Sequence, residues 1–229
     1  MKNIINLSAI LFLSIILSSC GDKKSNSDMD KDKQPQVFNT PDEAAKKGKN
    51  DMLSVLKNNK DINLNIEPGK LESSQPGKLV KRVEIDFSKL LKTDSVSSLS
   101  ELSKSELNTL APLVAGNEII GIVEINKVTK GWQVAGLGNR NITTDINVIS
   151  KSVNQNPGVM DITVYEVPNL QIFIYEVKDT AGSKYFLNDG SNNLREGVSI
   201  QNFYPSLKEQ AMVYEKNYGE IIRKQKVVK

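Results

Sequence analysis

The stretch EIIGIVEINKVTKGWQVAGL (118–137) decides how the rest of this chain is read. Glu118 to Val128 reads as one long strand, Thr129, Lys130 and Gly131 as a turn, and Trp132 to Leu137 as a shorter strand running back. Upstream, Leu113 and Val114 lead into a turn at Ala115, Gly116 and Asn117, so another strand comes first. Strands joined by such short turns make an antiparallel meander.

Outward from the meander, Val83, Ile85 and Phe87 alternate with Arg82, Glu84 and Asp86, the pattern of a half-buried antiparallel strand. Lys92 to Leu107 is polar and Ser-rich, either a loop or a short helix, with Leu99, Leu102 and Leu107 as its anchors. Thr40-Pro41-Asp42-Glu43 has the form of a capping box with proline in the first turn, so a helix starts there. Ala45, Gly48, Met52, Val55 and Leu56 then give it one narrow apolar stripe to lay on a sheet.

The second half repeats the plan. Ile142, Ile146, Ile149 and Val153 share one helical face, which predicts a helix from Thr143 to Val153, stopped by Asn-Pro-Gly at 156–158. Strands Met160–Val167 and Leu170–Lys178 flank a hairpin at Pro168-Asn169, and Lys184–Leu187 adds another. Pro205 opens a last helix with Leu207, Ala211, Tyr214, Tyr218 and Ile221 on one face. The fold class expected is α+β, antiparallel sheets packed against helices. Helix-then-meander occurs twice, in a first half over 37–139 and a second over 140–229.

Composition narrows the chemistry. The chain has 229 residues, with 30 Lys+Arg against 27 Asp+Glu, a balance that does not point to nucleic acid. It has no histidine, which excludes Ser-His-Asp, Cys-His and HExxH catalysis and removes the commonest zinc ligand. Its single cysteine, Cys20, cannot form an internal disulfide.

Met1-Lys2-Asn3 is a short positive start, and Ile4 to Leu17 is an apolar run too short to span a bilayer, which together have signal-peptide anatomy over residues 1–19. Leu17-Ser18-Ser19-Cys20 resembles the lipobox of bacterial lipoproteins. That resemblance implies cleavage before Cys20, acylation of its sulfur and new amine, and a membrane partnership made through the lipid alone. Gly21 lacks the aspartate that retains lipoproteins in the inner membrane, which favours the outer membrane; the side the domain faces stays open. Residues 20–36 are almost devoid of apolar side chains and read as a flexible tether.

Gly131 to Gly138 is similar to the closing strand of cystatin-like and nuclear-transport-factor-2-like domains, where a Gly-Trp pair follows the hairpin turn. The resemblance implies a concave sheet with Trp132 as core anchor or pocket wall, and Trp132 is the binding residue it offers. The inhibitory Gln-x-Val-x-Gly tip of cystatins is one residue short in Gln133-Val134-Ala135-Gly136. Ser54-Val55-Leu56-Lys57 matches Ser-x-x-Lys without the companion motifs of penicillin-binding enzymes. Glu84, Asp86 and Glu124 read as a solvated sheet face before they read as hydrolase carboxylates. Asp94-Ser95-Val96 and Asp179-Thr180-Ala181 resemble a three-residue bacterial O-glycosylation motif, which marks Ser95 and Thr180.

The function expected is a non-enzymatic outer-membrane lipoprotein presenting a binding domain to a protein or glycan, with no cofactor and no metal. A carboxylate-based glycan hydrolase and a small-ligand carrier are the alternatives.

Overall fold

The structure, a computed structural model, describes residues 35–58, 66–138, 140–188 and 197–226. The signal segment, Cys20 and the tether up to residue 34 lie outside the described residues. In chain order the elements are α1 (Pro41–Asn58), α2 (Pro68–Ser73), β1 (Gln75–Pro76), β2 (Val80–Ile85), α3 (Phe87–Lys92), β3 (Ser103–Ala115), β4 (Glu118–Val128) and β5 (Gly131–Leu137). There follow α4 (Arg140–Ser152), β6 (Asp161–Val167), β7 (Ile172–Asp179), β8 (Gly182–Asn188) and α5 (Ile200–Lys226).

The fold is α+β: an 8-stranded sheet in the order β5-β4-β3-β2-β6-β7-β8, with β1 beside β3, packed against helices on both faces. All strand pairs are antiparallel except β2 with β6, where Lys81 faces Thr163 and Glu84 faces Glu166 in parallel. Both expected halves therefore feed one sheet. From the central parallel pair, β3-β4-β5 runs outward on one side and β7-β8 on the other.

Alternation along each strand sends apolar residues to two cores. On one face, Ala111 and Leu113 of β3 and Val123 and Ile125 of β4 meet Ala44, Ala45 and Met52 of α1. Farther along that face Val83, Tyr165, Ile174 and Leu187 meet Ile200, Tyr204 and Leu207 of α5. On the opposite face Leu110, Ile122, Val164 and Tyr175 pack under Ile142, Ile146 and Ile149 of α4. Gly48 is where α1 comes closest to the sheet, because a Cβ there would lie 2.3 Å from Val123 Cγ1.

Several boundaries differ from the sequence reading, each for a local reason. Phe87 starts α3 instead of ending β2, because Asp86 caps that helix by accepting Lys89 N–H at 3.0 Å. The Ser-rich stretch holds a 3₁₀ turn, Leu99–Leu102, closed by a Ser98/Glu101 capping box, with Leu99 and Leu102 fully buried. Leu107 is no anchor: it is exposed, in the solvent-facing first half of β3. α5 begins five residues before Pro205, since Ile200, Phe203 and Tyr204 already bury its first turn and Phe203 N–H bonds Ser199 at 3.0 Å. Among the described residues no helix is long and apolar enough to cross a membrane.

Candidate functional site

Trp132 sits on edge strand β5, half-buried under α1 beside Phe38 and Val134. Its backbone pairs with Phe38 through two bonds of 2.8 Å, so it closes the sheet edge as a core anchor. Glu84 is bound to Lys104 at 2.7 Å, and Asp86 is a helix cap. Glu124 accepts from Asn108 at 2.7 Å and lies 3.8 Å from the Arg82 guanidinium, which also holds Glu166 at 2.6 Å. Glu84, Glu124 and Glu166 are thus tied into cross-strand ion pairs on the sheet face. Ser54 accepts from Asn58 while Lys57 reaches Glu72, so the Ser-x-x-Lys pair is not assembled. Among the described residues no cluster of three Cys, Asp or Glu could hold a metal ion.

Ser95 and Thr180 are both exposed. Their preceding aspartates have structural partners: Lys208 binds Asp94 at 2.6 Å and holds its carboxyl below the usual range, and Asp179 accepts Ala181 N–H at 2.7 Å in the β7–β8 turn.

Two buried carboxylates were not singled out in the sequence. Glu176, 2 % exposed, accepts from Tyr165 and Tyr185 at 2.9 Å each and from Ser183 at 2.8 Å. Burial, and then the Glu176 charge, pushes the Tyr185 hydroxyl up to about 12 and Tyr165 upward also. Asp145 of α4 accepts from Tyr175 at 2.5 Å and from Asn188 at 2.6 Å, and burial followed by Asp145 raises Tyr175. Each acid accepts from donors on other elements, which makes it a cross-link between them. The signal in the sequence was a charge inside an otherwise apolar strand, Tyr175-Glu176-Val177.

A concavity with room for a ligand lies elsewhere. β4 starts at Glu118, but β5 pairs with it only as far as Val123 opposite Leu137, after which Gly138, at φ 70°, turns the chain into α4. The uncovered start of β4 floors a cleft of ≈ 580 Å³. Met52 and Val55 of α1, Ile66, Ile119, Ile120 and Leu137 make it apolar. Gly121 keeps it deep, since a Cβ there would touch Met52 Sδ at 3.4 Å and Ile66 at 3.6 Å. Around the mouth stand Glu67, Arg140 and the Lys70–Glu118 ion pair at 3.6 Å. Thr143, Thr144 and Asn147 line the α4 side, and Trp132 is not part of the cleft.

No family model, curated protein or solved structure matches this chain.

Proposed function

We infer that this chain is a non-enzymatic binding protein, held at the outer membrane through an acylated Cys20, whose ligand site is the cleft at the start of β4. The cleft itself carries this reading: its volume, ≈ 580 Å³, lies in the range of small-molecule sites, with an apolar floor and a few polar groups at the mouth. Its ligand is an amphipathic molecule with an apolar body over Met52, Ile120 and Leu137 and a polar end at Lys70, Glu118 and Arg140. The absence of histidine from the sequence and the ion-paired state of Glu84 and Glu124 support binding over hydrolysis.

The test uses the acyl-free chain, Cys20→Ala, titrated calorimetrically with octanoate, octylamine and octyl glucoside as anionic, cationic and uncharged probes. At least one saturates the protein at a single site, and Gly121→Leu, which fills the cleft, abolishes that binding with the circular dichroism unchanged. Saturation that survives Gly121→Leu, or none with any head group, sinks the reading.

A further inference from the structure

We propose that the groove between α5 and the β6–β7 turn binds an uncharged oligosaccharide, independently of the cleft. β6 and β4 are both parallel to β2 in direction, so the end of β6 and the start of β4 lie at opposite ends of the sheet. This groove, of ≈ 630 Å³, is the wider and more open of the two concavities. Its long wall is α5 from Glu209 to Tyr218, just where the helix outruns the core: among the described residues Ala211 is the last apolar side chain of α5 to be buried. That wall is about 13 Å long, enough for roughly two or three sugar rings.

The lining has the two chemistries a sugar ring needs. Tyr214 is fixed from behind by the edge of Phe87, ring centroids 5.5 Å apart, and Tyr218 lies 5.2 Å beyond it with half its surface exposed. Two adjacent tyrosines with Val213 and Leu170 offer apolar faces to the C–H side of a pyranose. Asn169, Gln171, Gln210 and Asn217 surround them, and none of these side-chain amides has a hydrogen-bond partner among the described residues. Each amide both donates and accepts, as a sugar hydroxyl does.

Other partner classes fit this lining less well. Among the described residues no Lys or Arg lines the groove, so an anionic polymer finds no counter-charge in that lining. A purely apolar partner would bury four amides without bonds. Glu209 alone is a thin counterpart for a basic peptide.

Gln171 supplies an independent observation. It has φ 55° and ψ 38° at the end of the 3₁₀ turn Pro168–Leu170, a left-handed conformation that glycine adopts more easily. The chain carries a side-chain amide there, at the groove lip, against the local backbone preference.

The experiment is titration of the full lipidated chain, in a zwitterionic detergent free of sugar, with maltotetraose, cellotetraose, mannotetraose and tetra-N-acetylchitotetraose, and with tetragalacturonate as the charged control. Side-chain amide resonances and heat are followed together. At least one uncharged tetraose saturates at millimolar concentration and shifts the Gln171 and Asn217 amides, while tetragalacturonate does not. Tyr218→Ala lowers the affinity about tenfold with no change in thermal midpoint. Gln171→Gly lowers it too, yet raises the midpoint by about 2–4 °C, because the left-handed strain is relieved. Binding that survives both substitutions, equal binding of tetragalacturonate, no saturation by any uncharged tetraose, or self-association that buries Tyr218 would each overturn the proposal.

Discussion

Asn147 holds Ile119 by both of its backbone groups: Oδ1 accepts the Ile119 N–H at 2.9 Å and Nδ2 donates to the Ile119 carbonyl at 2.7 Å. One side chain of α4 thus takes the place of the strand that β5 fails to provide along the start of β4. The substitution Asn147→Ala strands a donor and an acceptor and exposes a free edge, so a loss of about 1–3 kcal/mol is expected in urea denaturation. Asn147→Asp, which keeps the acceptor and discards the donor, falls between. An unchanged midpoint for Asn147→Ala would mean the clamp contributes nothing.

Glu176 gathers Tyr165, Tyr185 and Ser183 around one buried carboxylate, joining β6, β7 and β8 on the α5 side of the sheet. Glu176→Ala leaves three hydroxyls without their acceptor and is expected to lower stability by about 2–4 kcal/mol. Glu176→Gln retains one carbonyl oxygen and costs less. Equal losses for the two substitutions, measured by denaturant unfolding, would show that neither the volume nor the carbonyl oxygen that Gln retains makes up for the carboxylate, and would overturn this expectation.

The same tyrosines set the alkaline limit of the fold. Tyr185 ionises at about 12 in the native state, and Tyr165 and Tyr175 are pushed up as well, against 10.0 for a free side chain. Below pH 10 both states keep these protons, so their contribution to stability is fully present. Above it the unfolded chain gives them up first, and stability declines as pH rises from 10 through 12. Tyrosinate absorbance and far-ultraviolet circular dichroism, followed together, should show the buried tyrosines ionising only as the helical signal is lost. Ionisation completed within a fully folded protein would contradict this.

The meanders were legible because alternation and turn chemistry are local: β4 spans the residues read from the sequence, Glu118–Val128, and Pro168-Asn169 lies at the hairpin turn. The parallel β2–β6 pair was not legible, since a contact between Arg82 and Val164 leaves no mark on either strand alone. Ser103 to Leu107 looked like a loop because that half of β3 faces water. The cleft depends on where β5 stops relative to β4, which is a matter of register, and Trp132 drew attention by its chemistry while Gly121 and Asn147 shape the space. The groove on α5 comes from an apolar stripe, Tyr214, Tyr218 and Ile221, that was read correctly as helical but outruns the core it was expected to cover.

Gly48 offers a test in which two rules disagree on sign. Helix propensity alone makes Gly48→Ala in the interior of α1 stabilising by about 1 kcal/mol. Yet the new methyl would lie 2.3 Å from Val123 Cγ1 and 2.9 Å from Cγ2, in a wall formed by a central residue of β4. Overpacking of that kind costs about 1–3 kcal/mol, so Gly48→Ala is expected to destabilise, with α1 displaced from β4. Val123→Ala alone leaves a cavity and destabilises as well. The double substitution puts one methyl where another was removed and should be more stable than the sum of the two losses by about 1–3 kcal/mol. Denaturant unfolding of the four proteins measures that coupling. Simple additivity would mean that α1 rides over the contact without resistance, and the close approach at Gly48 would then have no part in fixing the helix on the sheet.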